Sequence, residues 1–151
     1  MSFWNMLRIG SSALSAQRLR LDLISNNIAN IETTSTEEGG PYRRQDVRFR
    51  ARESGGGFAD LIRSRITGRG SLGQGDGGVQ VAEILEDDSP GPRIYDPDHP
   101  DADEEGYVEY PNVDLAVEMT NMLSATRSYE ANLSVIDAAK RMALKSLEIG
   151  K

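Results

Sequence analysis

Apolar residues recur in alternating steps of four and three at both ends of this chain, and not between them. Near the N-terminus the steps pass through Phe3, Leu7, Leu14, Leu21, Ile24 and Ile28, interrupted by Gly10 and Gln17. Near the C-terminus they pass through Leu115, Met119, Met122, Tyr129, Leu133, Ile136, Ala143 and Leu147, interrupted by Thr126 and Lys140. With 38% apolar residues, chance would fill roughly three of the first eight positions and four of the last ten, against six and eight found. A repeat of 3.5 residues keeps one helical seam facing a partner, so these are two coiled-coil helices bracketing an unlike insert. Such a design serves association rather than chemistry.

Asn26, Asn27 and Asn30 crowd the end of the first helix, and asparagine tolerates the left-handed turn that closes a helix. The first helix is therefore expected over 1–31, capped at Ser2, with a possible restart at Ser11 or Ser12. Asn112 or Asp114 caps the last helix, expected over 113–151 with Gly150 as its terminator. Lys140, Arg141 and Lys145 favour its negative end. Between them, 32–112 reads as a turn-rich β unit with a glycine-rich linker. Strands are expected within Tyr42 to Arg50, over Val79 to Leu85, at Ile94-Tyr95 and at Tyr107 to Tyr110. Phe58 to Ile66 fits either a short helix or a strand. Five prolines between Pro90 and Pro111 exclude helix there. The fold class is α+β: long terminal helices pairing as an antiparallel coiled coil, with a small β-rich insert. Leu14, Leu21, Ile24 and Ile28 are expected to face Met122, Tyr129, Leu133 and Ile136.

Each helix carries a second apolar stripe: Ala16, Leu19, Leu23 on the first, and Ala131, Val135, Ala138, Met142 on the last. A helix apolar on two faces is not satisfied by one partner. The second stripe packs either on the β unit or, the preferred reading, on neighbouring copies in an assembly. Two long helices with interrupted seams are marginal alone, so substantial disorder is expected before assembly.

The net charge of −7 disfavours nucleic acid as a main ligand, since phosphate recognition needs positive surface. There is no cysteine, which excludes disulfides and thiolate catalysis. No stretch has the length of a membrane span, and the first residues lack the apolar run of a cleaved secretory signal. Two overlapping dinucleotide-type patterns, Gly68-Gly70-Gly73 and Gly73-Gly75-Gly78, precede a strand rather than a helix and read as linker. The acidic run from Asp96 to Glu105 lacks the glycine and final glutamate of a calcium loop, so it reads as a solvated turn with at most weak cation binding. His99, the single histidine, has neither nucleophile nor metal-ligand spacing beside it and is assigned a hydrogen bond in that turn. Arg43, Arg44, Arg48, Arg50 and Arg52 are expected to meet the acidic loop, within one subunit or between subunits. No catalytic, metal or cofactor residues emerge.

Ser12 to Asn30, centred on Asn26-Asn27-Ile28-Ala29-Asn30, resembles the N-terminal signature of bacterial flagellar rod and hook proteins. Asn112 to Met119, Tyr129-Glu130-Ala131-Asn132 and Lys145 to Gly150 resemble the C-terminal signature of the same family. Pro41-Tyr42-Arg43-Arg44 and the stretch from Asp96 to Asn112 are similar to its proximal-rod branch. The resemblance implies a structural subunit of the axial drive shaft, without enzyme activity or cofactor. It implies helical assembly with copies of itself and other rod proteins, next to basal-body ring and export-gate components. It also implies a place in the periplasmic part of the basal body, reached by type III export without a cleaved signal and without membrane insertion. The assembly residues it singles out, with the seams, are Leu7, Leu14, Leu21, Ile24, Asn27, Ile28, Asn30, Leu115, Met119, Met122, Tyr129, Leu133, Ile136 and Met142. A coiled-coil adaptor or effector of a related type III secretion system is the alternative.

Overall fold

The computed structural model describes residues 3–52 and 77–149. Phe58 to Ile66, the glycine patterns between Gly68 and Gly75, Ser2 and Gly150 lie outside the described residues. The elements are helix α1 (Phe3–Ala29), strands β1 (Gln45–Ala51), β2 (Val79–Glu86), β3 (Arg93–Tyr95) and β4 (Tyr107–Glu109), and helix α2 (Leu115–Ile149). All four expected strands within the described residues are present. The class is α+β.

Helix α1 has 27 residues, a rod of about 40 Å. It runs unbroken through Ser11 and Ser12, so neither restarts it. Ser12 Oγ instead donates to Ile9 O at 2.7 Å and accepts from Val79 N–H at 3.1 Å, tying β2 to the helix. Asn30 closes the helix: its N–H and its Nδ2 both donate to Asn26 O, at 3.0 and 2.9 Å. Helix α2 has 35 residues, about 52 Å. Asp114 is its cap, with Oδ1 accepting from Ala116 N–H at 2.8 Å and Val117 N–H at 3.1 Å. The last turn holds no basic residue, so Lys140, Arg141 and Lys145 gain little from the dipole, which acts within a turn of the helix end.

Contacts divide the chain into two compact units. Among the described residues, one takes in 3–16, 49–52, 77–81 and 129–149, and the other Gln17–Arg48 and Ala82–Ser128. In the first unit, a Cβ placed on Gly10 would lie 2.7 Å from Ile136 Cγ1. Only a residue without a side chain permits that approach. In the second, Asn27 Nδ2 donates to Glu118 Oε2 at 3.2 Å. Early α1 thus meets late α2, and late α1 meets early α2, which is the expected antiparallel sense.

The inward positions of α2 correct the expected seam. Glu118, Ala125 and Ala139 are its buried residues, with Met122, Tyr129, Asn132, Ile136 and Ala143 half-buried between them. These also step by four and three, but the register shares only Met122, Tyr129, Ile136 and Ala143 with the expected one. Leu115, Met119, Leu133 and Leu147 are instead exposed, by 47%, 60%, 45% and 72%. The physical reason is that alanine permits close packing where leucine would not, and that Glu118 is buried because it is paired. The second stripes also divide: Ala16 and Leu23 on α1 are buried, whereas Ala131, Val135 and Met142 on α2 are exposed.

The β unit is two separate two-stranded sheets, β1–β2 and β3–β4. Arg52 N–H donates to Gly78 O in one unit and Asp87 N–H to Arg44 O in the other, both at 2.8 Å, which brackets β1–β2 as an antiparallel ladder. β3 and β4 are antiparallel, with Ile94 opposite Val108 and Tyr95 opposite Tyr107. Gly106 makes the return to β4 at φ +83°, and a Cβ there would also strike the Tyr95 ring at 2.9 Å.

Candidate assembly site

The residues of the Asn-Asn-Ile-Ala-Asn run occupy very different environments. Asn26 is exposed at the helix end and Asn30 half-buried, while Asn27 is fully buried. A buried amide must have all its groups partnered, and Asn27 does. Its Oδ1 accepts from Gln45 N–H and from the Tyr42 hydroxyl, both at 2.9 Å. Its Nδ2 donates to Gln45 O at 2.8 Å and to Glu118 Oε2 at 3.2 Å. The side chain thus engages both backbone groups of Gln45 as a neighbouring strand would, and fastens the start of β1 to α1.

Glu118, also fully buried, is the second hub. Its Oε1 accepts from Arg44 Nε at 2.9 Å, with Asn121 Nδ2 at 3.5 Å. The Arg44 side chain is only 22% exposed and keeps a longer contact of 3.7 Å to Asp46. Tyr42 completes the cluster. Burial first, then the negative charges of Glu86 and Glu118, hold its hydroxyl above the ordinary 10.0. A neutral donor is what Asn27 Oδ1 requires. The arrangement is a network of hydrogen bonds with one ion pair. It locks the end of one helix, the start of another and a strand together.

The expected interface residues divide by exposure. Ile24 and Asn27 are buried; Leu7, Leu14, Leu21, Ile28, Asn30, Met122, Tyr129 and Ile136 are half-buried. Leu115, Met119, Leu133 and Met142 are exposed. Within one copy, three of the arginines expected to meet the Asp96 to Glu105 loop pair elsewhere. Arg43, Arg44 and Arg48 pair instead with Asp88, Glu118 and Glu83, because the β1–β2 ladder and α2 bring those carboxylates alongside. The loop's own partner is Arg93, on Asp103. His99 Nδ1 accepts from Asp101 N–H at 3.1 Å, the turn bond expected of it. Among the described residues, no group of three or more His, Asp or Glu is placed to hold a metal ion. No described helix is long and apolar enough to cross a membrane.

Sequence reading missed Glu118, Tyr42 and Gly10 as contact residues and gave Arg44 a different partner. Glu118 was legible: it stands four residues before Met122 and seven before Ala125, in the second, less apolar heptad register. A reading that scored bulk apolar residues ranked that register below the outward one.

The two hubs fall within segments that known families share. Residues 7–35 match the family model described as flagella basal body rod protein. Residues 104–149 match the one described as flagellar basal body rod FlgEFG protein C-terminal. The flagellar basal-body rod protein FlgC of Bacillus subtilis is 44% identical, with both chains covered completely. The chain belongs to the flagellar basal-body rod family. The rod protein FlgC of Borreliella burgdorferi is 45% identical over 99% of this chain and 98% of its own. That of Salmonella typhimurium is 38% identical over the whole of both. In this family setting, the polar cluster joins the N-terminal matched segment, through Asn27, to the C-terminal one, through Glu118.

Proposed function

We propose that this chain is a structural subunit of the flagellar basal-body rod, stacking with other rod components into the axial shaft that drives motility. The observation that carries this is the full-length match to rod proteins, with their two shared segments meeting at Asn27 and Glu118. The exposed apolar residues of α2 support it, since so many large apolar side chains left in solvent on one helix suit an association surface. Seven of the nine fall in two stripes, Leu115, Met119, Leu133 and Leu144 on one side and Val117, Val135 and Met142 on the other. At about 100° per residue, each stripe lies roughly 90° around the helix from the inward face. One helix can therefore pack inward on its own chain and sideways on two neighbours. The half-buried seam residues Leu14, Leu21 and Ile28, with the exposed Leu115, Met119, Leu133 and Met142, make up that interface. Ring and export-gate components as neighbours, a periplasmic position and export without a cleaved leader extend the same reading.

The test is a strain lacking the gene. Swimming should be lost, basal bodies in electron micrographs should lack a complete rod, and the wild-type gene should restore both. Complementation with Leu21→Asp should fail although the protein is made. Normal swimming by the deletion strain would sink the proposal. Nothing in the fold favours the adaptor reading, which leaves the full-length family match unexplained.

A further inference from the structure

The outward face of the β3–β4 ladder carries Arg93, Tyr95, Tyr107 and Glu109. The ladder pairs Tyr95 with Tyr107, and their rings stack edge to face at 5.3 Å. Tyr95 is nonetheless 63% exposed, with no element of its own unit covering it. Beside it opens a cleft of about 280 Å³ lined by Thr34, Arg93, Asp101, Asp103, Tyr107 and Glu109. From Arg93 to Glu109 the chain has seven carboxylates against one arginine, and Arg93 is already taken up by Asp103 and the Tyr107 ring. Aromatic rings set among unpaired carboxylates bind lysine and arginine, which stack on the ring and pair with the acid.

The chain also carries the complementary surface. Between Asp137 and Glu148 on α2, every charge is positive: Lys140, Arg141 and Lys145. All three are exposed, and none forms an ion pair among the described residues. Exposed Leu144 lies on the same arc of the helix between Lys140 and Arg141, apolar surface suited to the Tyr95 ring.

We infer that the β3–β4 face of one copy docks on the Lys140–Lys145 stretch of α2 in a second copy. The inference rests on the rod reading and names a contact within it. Two different patches meet, so the contact is head-to-tail. Repeated head-to-tail contacts build open helical assemblies rather than closed dimers.

A charge-swap experiment in the deletion strain tests this. One variant carries Asp98→Lys, Glu104→Lys and Glu105→Lys. The other carries Lys140→Glu, Arg141→Glu and Lys145→Glu. Each alone presents like charges to its own copies and should fail to restore swimming or rods. Produced together, each meets its complement on the other, and both functions should return. A single chain carrying all six changes should also assemble. If either triple variant alone assembles like wild type, or if co-production leaves the defect in place, the contact is overturned. The rod reading is judged separately, by whether the wild-type gene restores the deletion strain.

Discussion

Asn27 shows how much one side chain can be asked to hold. Its amide accepts two hydrogen bonds and donates two, and no other residue type of that size offers both roles. Asn27→Ala leaves the half-buried Gln45 N–H and C=O and Tyr42 hydroxyl, and the buried Glu118 Oε2, without this partner. A loss of about 2–4 kcal/mol is expected, read from the urea midpoint of the purified chain. Asn27→Asp should be no milder despite its identical shape, because it sets a carboxylate against Gln45 O and the buried Glu118 carboxylate. Tyr42 adds a pH dependence of known sign. The folded chain holds the hydroxyl proton above its ordinary 10.0, so beyond that pH the unfolded chain binds fewer protons. Stability from this group is complete below pH 10 and falls as pH rises towards the raised value. Tyr42→Phe should flatten that fall relative to wild type, in midpoints measured from about pH 8 to pH 11. Equal slopes in the two proteins would refute the assignment.

At the scale of the element, Gly10 is a contact point rather than a gap in a seam. Glycine inside a helix costs about 1 kcal/mol relative to alanine, which favours Gly10→Ala on propensity alone. The added Cβ would lie 2.7 Å from Ile136 Cγ1 and 2.9 Å from Cδ1, and Ile136 is β-branched and cannot rotate away cheaply. Overpacking of this kind costs about 1–3 kcal/mol, so Gly10→Ala should be neutral to destabilising. In an Ile136→Ala background the obstruction is gone, and the same change should stabilise by about 1 kcal/mol. The sign reversal is the coupling a double-mutant cycle measures. Thermal melts of the four proteins decide it, and additive effects would show that the helices do not meet there.

The whole molecule presents more apolar surface than one folded copy needs. Val117, Val135 and Met142 on one side of α2, with Leu115, Met119 and Leu133 on the other, are at least 45% exposed. Val135→Asp and Met119→Asp should therefore leave the stability of the free chain within about 0.5 kcal/mol of wild type. Both should abolish rod assembly in the deletion strain. A variant that melts like wild type and still supports swimming would remove its stripe from the interface. The inward positions give the opposite pattern: Ala125→Asp buries an unpaired charge and should destabilise the free chain itself.

Local chemistry was enough to predict the two helices, a cap at Asn112 or Asp114, a first-helix end near Ile31, the four strands and the outline of the α+β class. Each depends on neighbours within a few residues: a side-chain oxygen facing a free N–H, a run of β-branched residues, a proline excluding helix. The Asn26 to Asn30 run also carried the family. Which face of α2 turned inward was not decided locally. Two heptad registers overlap on that helix, and the one richer in leucine and methionine faces out. The inward register is set by what lies opposite. Gly10 and the alanines allow close backbone approach, and Arg44 and Asn27 arrive from 74 and 91 residues away to neutralise and hydrogen-bond Glu118. A buried carboxylate is favourable only once those partners are in place. The packing of α2 was therefore settled by the tertiary structure, while its existence was already written in the chain.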